Sequence, residues 1–161
     1  FRRVLFRSID DPLLLLAITA YAELRVQQLL QSPTQQDPLL ASQLTPEELA
    51  HLADINDQAA ARCSLEATLR HWRDGTPVNA RAWIRANLHA MAPLAAELGL
   101  SALLNTLEPV LEHGNQAMRW LQRHRGGEPV GTIVAADALA LAAREDELAR
   151  LDTDRWASPL G

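Results

Sequence analysis

The sequence contains no lysine: all 15 basic residues are arginine. That absence removes two chemistries, a P-loop lysine on nucleotide phosphates and a Schiff-base lysine on a carbonyl. A GC-rich coding sequence that writes Arg and Ala would account for it. The single cysteine, Cys63, leaves no internal disulfide and no Cys-based metal cluster. Aromatic residues are 4% of the chain, so Leu and Ala must fill the core, and such a composition favours helix over sheet. The net charge is −5 with no basic segment, which argues against nucleic acid as a partner. No stretch resembles a signal peptide. The longest apolar run, Leu13–Ile18, is far short of the roughly 20 residues that cross a bilayer, so no membrane span is expected and the cytoplasm is the expected location.

Metal-ligand patterns are missing too. His51, His71, His89, His113 and His124 form no HxxxH pair, and no metal site is expected. There is no GxSxG and no Gly-rich phosphate loop.

What is present reads as helix after helix. Phe1–Ser8 has no clear period and resembles the translated adapter read-through at the ends of metagenomic reading frames. Residues 1–8 are therefore expected to be non-native, with the natural protein continuing upstream. A first helix starts at Asp10-Asp11-Pro12 and runs to about Gln31; its apolar opening suggests a central, buried helix. Ser32–Ser42 reads as a loop. Thr45-Pro46-Glu47-Glu48 is a capping box opening a second helix, which could reach His71 or Trp72. Asp74-Gly75-Thr76-Pro77 is a turn. A third helix runs from Val78 to Leu98, with Pro93 expected to kink or split it. A fourth, Ser101–Glu112, is broken by Pro109, a fifth spans Asn115–Arg125, and a sixth Val130–Leu151. No segment alternates with period two for long enough to be a strand. The expected fold class is all-α, about six helices in an irregular bundle over residues 9–151, with 152–161 a flexible tail.

The least generic stretch is Leu111–His124, where Gly114-Asn115 interrupts one helix and Met118-Arg119-Trp120 opens another. It fits a plain helical corner, and equally a place where backbone and guanidinium groups meet an anion. Arg62, Arg81, Arg85, Arg119, Arg123 and Arg125 lie near breaks or on polar faces, and Arg81 and Arg85 share a helix face. Guanidinium groups clamp carboxylates and phosphates at two points, though solvated helix faces also explain them. Trp72, Trp83 and Trp120 are expected to pack helices together.

Two blocks in order carry a resemblance. The first is Asn56-Asp57-Gln58-Ala59-Ala60-Ala61-Arg62-Cys63-Ser64-Leu65-Glu66-Ala67, followed by Gly75-Thr76-Pro77-Val78 and Ala80-Arg81. The second is Leu111-Glu112-His113-Gly114-Asn115-Gln116-Ala117-Met118-Arg119-Trp120. Together they resemble the C-terminal part of the glutamate–cysteine ligase type 2, or carboxylate–amine ligase, family. That family shows an Asn before an Arg-Ala-Ala-Arg-Tyr-Gly-Leu-Asp-like run, a Gly-x-Pro-Val turn, and a Gly-Asn/Thr-Gly-Ala-x-Arg corner. This chain departs from it at Gln58 and Ala59, at Cys63-Ser64 in place of Tyr-Gly, and at Gln116 in place of the corner's second Gly.

The resemblance implies an ATP-dependent ligase that activates a glutamate-like carboxylate as a γ-glutamyl phosphate, which an amine such as that of cysteine then attacks. ATP and Mg²⁺ would belong to the full-length parent, on a glutamine-synthetase-like catalytic sheet N-terminal to these helices. The chain would then be the C-terminal helical fragment, inactive alone, with no cofactor of its own. Its partners would be the missing catalytic part of the same protein, the carboxylate and the amine. Arg119 and Arg62 are the implied anion-binding residues, with Asn115 and Asn56 as hydrogen-bonding partners. Two rivals remain: a stand-alone helical interaction module, and a diverged, inactive ligase relative. Helices that normally cover a sheet would expose an apolar face, so self-association is expected.

Overall fold

A computed structural model describes residues 11–142. The described residues are all-α apart from one small hairpin. The chain divides into two compact units, Leu16–Asn115 and, on the other side, the residues up to Leu15 together with those from Gln116 onward. The segments 1–8 and 152–161 and the last turns of the sixth helix lie outside the described residues.

Helix α1 spans Pro12–Gln31, opened by the Asp11 carboxylate accepting from the Leu13 amide at 3.0 Å. Leu13, Ala17, Ala20 and Leu24 recur at helical spacing and are buried, whereas Leu16, Val26 and Leu30 are exposed. The helix is thus one-sided, not buried all round as its apolar opening suggested. By length and composition alone it could cross a membrane. Its second half carries Glu23, Arg25, Gln27, Gln28 and Gln31, and Gln28 donates to the Ala90 carbonyl as a protein-packed helix would.

Ser32–Ser42, expected as a loop, winds into two single turns, α2 (Pro33–Gln36) and α3 (Pro38–Ala41). Each begins with Pro at its first position, where the fixed φ suits a helix, and the Asp37 carboxylate caps the second by accepting from the Leu39 amide.

Helix α4 is Pro46–Cys63, with the Thr45/Glu48 capping box formed in both directions. It stops well before His71. Ser64 turns to φ 51° and ψ −128°, which ends the helix, and a 3₁₀ turn at Ser64–Glu66 leads away. Strands β1 (Thr68–Arg70) and β2 (Pro77–Asn79) then pair antiparallel, with Leu69 opposite Val78. At three residues each they are too short to show period two, which is why the sequence hid them. The turn between them is the expected one: Asp74 accepts from the Thr76 amide and hydroxyl, and Gly75 supplies φ 73°.

Helix α5 runs Ala80–Glu97, capped by Asn79, and passes through Pro93 unbroken. Pro93 and His89, whose carbonyl Pro93 cannot serve, both lie on the exposed side. Gly99 at φ 70° closes the helix. The expected fourth helix is in pieces: α6 (Ser101–Leu104), a 3₁₀ turn at Asn105–Leu107, and α7 (Glu108–His113). Met91 and Ala95 of α5 and Leu100, Leu103, Leu104, Leu107 and Leu111 form the buried core here.

In the other unit, α8 (Gln116–Arg125) and α9 (Val130–Ala142) are joined through Gly126-Gly127, where Gly127 at φ 94° lets the Glu128 amide donate back to the Arg123 carbonyl.

Candidate functional site

The corner after α7 is built from carbonyls that a helix end leaves without intrahelical donors. Gly114 at φ 90° returns its amide to the Val110 carbonyl. Arg81, in the first turn of α5, donates to the Leu111 carbonyl and, at 3.2 Å, to that of Glu112. The same guanidinium pairs with the Glu66 carboxylate from the 3₁₀ turn. Its side chain is 19% exposed. A cation at the negative end of a helix is favourable, and the planar fork serves two carbonyls and a carboxylate together.

Asn115 completes the corner. Its side-chain amide donates to the Ser64 hydroxyl at 2.7 Å. Ser64 is the non-glycine residue with positive φ among the described residues, a backbone state that disfavours any Cβ. The block Asn56–Ala67 and the block opening at Leu111, separate in sequence, therefore meet through the Ser64–Asn115 bond and through Arg81.

The other expected residues have different surroundings. Asn56 on α4 uses both amide atoms on one residue: it donates to the Arg70 carbonyl at 2.8 Å and accepts from the Arg70 amide at 2.6 Å. It stands where a third strand would pair with β1. Arg62 is exposed in the last turn of α4. Arg119 is half-buried on α8, in the other unit. Arg81 and Arg85 share a face but not a task, since Arg85 reaches Glu108 at 3.4 Å across the surface. Trp72 and Trp83 flank His71, their ring centroids 5.4 and 5.1 Å from it, and the Arg73 guanidinium lies over Trp72. These rings tie the hairpin turn to α5, as their expected packing role requires.

On α8 the sequence reading missed the main anchor. Asp137 of α9 accepts from the Trp120 indole at 2.5 Å, from Gln116 at 3.5 Å and from Arg123 at 3.5 Å. Arg123 also forks onto Glu128, at 2.7 and 2.5 Å. That two-point bond holds the Glu128 carboxyl below the usual carboxylate range and raises Arg123 further. Asp74 is likewise lowered, chiefly by the Thr76 hydroxyl. Burial pushes the Tyr21 phenol up. One signal for Asp137 was available: it is the lone charge in the otherwise apolar α9. Nothing in the sequence marked Ser64 as strained.

Among the described residues no group of three or more His, Cys, Asp or Glu could hold a metal ion. The family model for Glutamate-cysteine ligase family 2 (GCS2) matches residues 6–144. No curated protein and no solved structure matches the chain.

Proposed function

The chain belongs to Glutamate-cysteine ligase family 2, and from that premise we propose that its helices serve an ATP-dependent carboxylate–amine ligase as the part that positions charge. The observation that carries this reading is the Asn115–Ser64 bond, which gathers the two family-like blocks into one place. The described residues do not fit a Mg²⁺·ATP site: they offer no carboxylate cluster and no sheet beyond the hairpin. The nucleotide and its metal, and the step that makes the acyl phosphate, are therefore assigned to a catalytic sheet outside the described residues. The natural ligase is read as these helices joined to that sheet.

Within the helices two polar side chains have bracing roles. Arg81 is fully engaged with two carbonyls and Glu66, so it braces the corner. Asn56 braces the hairpin. Arg62 and Arg119, by their places in the two family-like blocks, are each assigned to supply positive charge to substrate oxygens, and Asn115 holds Ser64. Rigid donors aimed at charge that grows in the transition state lower the barrier most. The apolar side chains of Leu30, Leu39 and Leu40, all more than 60% exposed, are surface that the sheet-bearing part or a second copy would cover.

The test is ADP release by the ligase that joins these helices to their catalytic sheet. Release that requires both glutamate and an amine is expected, and Arg119→Ala should lower kcat about 100-fold. Unchanged turnover in Arg119→Ala would remove Arg119 from the site. Absence of glutamate- and amine-dependent release with every amine tried would overturn the ligase reading and favour the interaction module.

A further inference from the structure

Helix α8 carries Arg119, yet none of its ten residues is buried. Its most enclosed side chains are only half-buried, so polar contacts share in fixing its rotation. Gln116, Trp120 and Arg123 follow one another at helical spacings of four and three, which puts three donors on one face. All three reach a single side chain. One Asp137 oxygen takes the Trp120 indole and the Gln116 amide, and the other takes Arg123. Arg119 lies three residues from Gln116 and four from Arg123, so it flanks this anchored face. A turn of α8 that re-aimed Arg119 would have to pull all three donors from the carboxylate. Asp137 is itself rooted in an apolar helix that buries Ile133 to 1% exposure. Arg123, held a second time by Glu128, limits the remaining freedom.

We propose that Asp137 is a positioning residue for the ligase reaction, acting through α8 to hold the Arg119 guanidinium in its working direction. The proposal rests on the ligase reading above, in which Arg119 faces substrate charge. Asp137 itself need touch no substrate. Its carboxylate sets a helix, and the helix sets an arginine.

Kinetics of the same ligase decide it. Asp137→Ala should lower kcat about 10- to 100-fold, because a misplacement of about an ångström is enough to forfeit that much. KM for the amine should stay within about twofold, since binding that ignores the developing charge is untouched. Asp137→Glu should recover part of the loss. In an Arg119→Ala background, Asp137→Ala should cost nothing more, because the residue through which it acts is gone. Trp120→Phe removes the 2.5 Å bond from the other side and carries the same test if Asp137→Ala fails to fold. Losses that add in the double variant, or an Asp137→Ala and Trp120→Phe pair with wild-type kcat, would overturn the proposal and leave the ligase reading standing. If Arg119→Ala is fully active, the assignment of Arg119 fails and the positioning role falls with it. If wild type releases no ADP with glutamate and any amine, the ligase reading fails first.

Discussion

Between Leu16 and Asn115 the chain buries Leu24, Met91, Ala95 and Leu111 to 2% exposure or less, and sets one nearly enclosed arginine among carbonyls. Between Gln116 and Arg125 it buries nothing and relies on two carboxylates, Asp137 and Glu128. The candidate residues are split between these regimes, Asn115 in the first and Arg119 in the second. Apolar burial is not weakened by ionic screening or by carboxylate protonation, whereas exposed ion pairs are. The packed unit should thus be rigid under most conditions, and α8 adjustable by the solvent.

The largest effect should come from the apolar side. Leu111→Ala should cost about 3 kcal/mol in urea unfolding, by lost transfer energy and a cavity beneath the corner. A cost under about 1 kcal/mol would mean that the corner does not rest on that core. Next is Arg81→Met, which keeps the stem but strips the donors from the Leu111 and Glu112 carbonyls. A loss of about 2 kcal/mol is expected from the unpaired groups, insensitive to added salt. Strong salt dependence would move Arg81 into the exposed class.

Ser64 gives a smaller and more diagnostic contrast. Ser64→Ala keeps the unfavourable φ and loses the bond from Asn115, so about 1 kcal/mol should be lost. Ser64→Gly loses the same bond but frees the backbone, and should be close to neutral. Equal losses in the two variants would show that the strain costs nothing here.

The smallest effect belongs to the polar side. Because Arg123 lowers the Glu128 carboxyl in the folded chain, the unfolded chain binds that proton more readily. The contribution is present above the ordinary glutamate range and disappears as pH falls through the depressed folded value. Asp74, lowered by Thr76, follows the same sign. Hydrogen exchange should therefore rise in α8 with salt, or once the pH falls below the ordinary glutamate range, before it rises in α5. Simultaneous loosening of the two helices would erase the contrast.

The helices were legible because their starts and stops are written in side chains with local meaning: Asp11-Pro12, Thr45 with Glu48, and Gly114 as a stop. The class followed from these and from the shortage of aromatics. The hairpin was not legible, since its strands are three residues long and much of what defines β1 is a side chain from another element, Asn56. The early end of α4 was hidden for a related reason. It depends on Ser64 adopting a conformation that its residue type disfavours, sustained by a partner 51 positions away. The order and spacing of the two blocks pointed to the family, and the Asn115–Ser64 bond joins them. Order and spacing could not show that Arg81 braces the corner, because that depends on which carbonyls a helix end leaves open. Arg81 and Asp137 are recognisable only once those neighbours are in place.

The absence of lysine takes on a sharper meaning at Arg81. A drift in base composition that turned arginine codons toward lysine would pass unnoticed at an exposed position such as Arg62, for folding if not for binding. At Arg81 it would not. An ammonium is one point, whereas the Leu111 and Glu112 carbonyls and the Glu66 carboxylate are met by the separate arms of one plane. Descendants of this sequence in a lysine-rich genome should keep arginine here while losing it elsewhere. A survey of such sequences would read the architecture of the corner directly from the codons that refused to change.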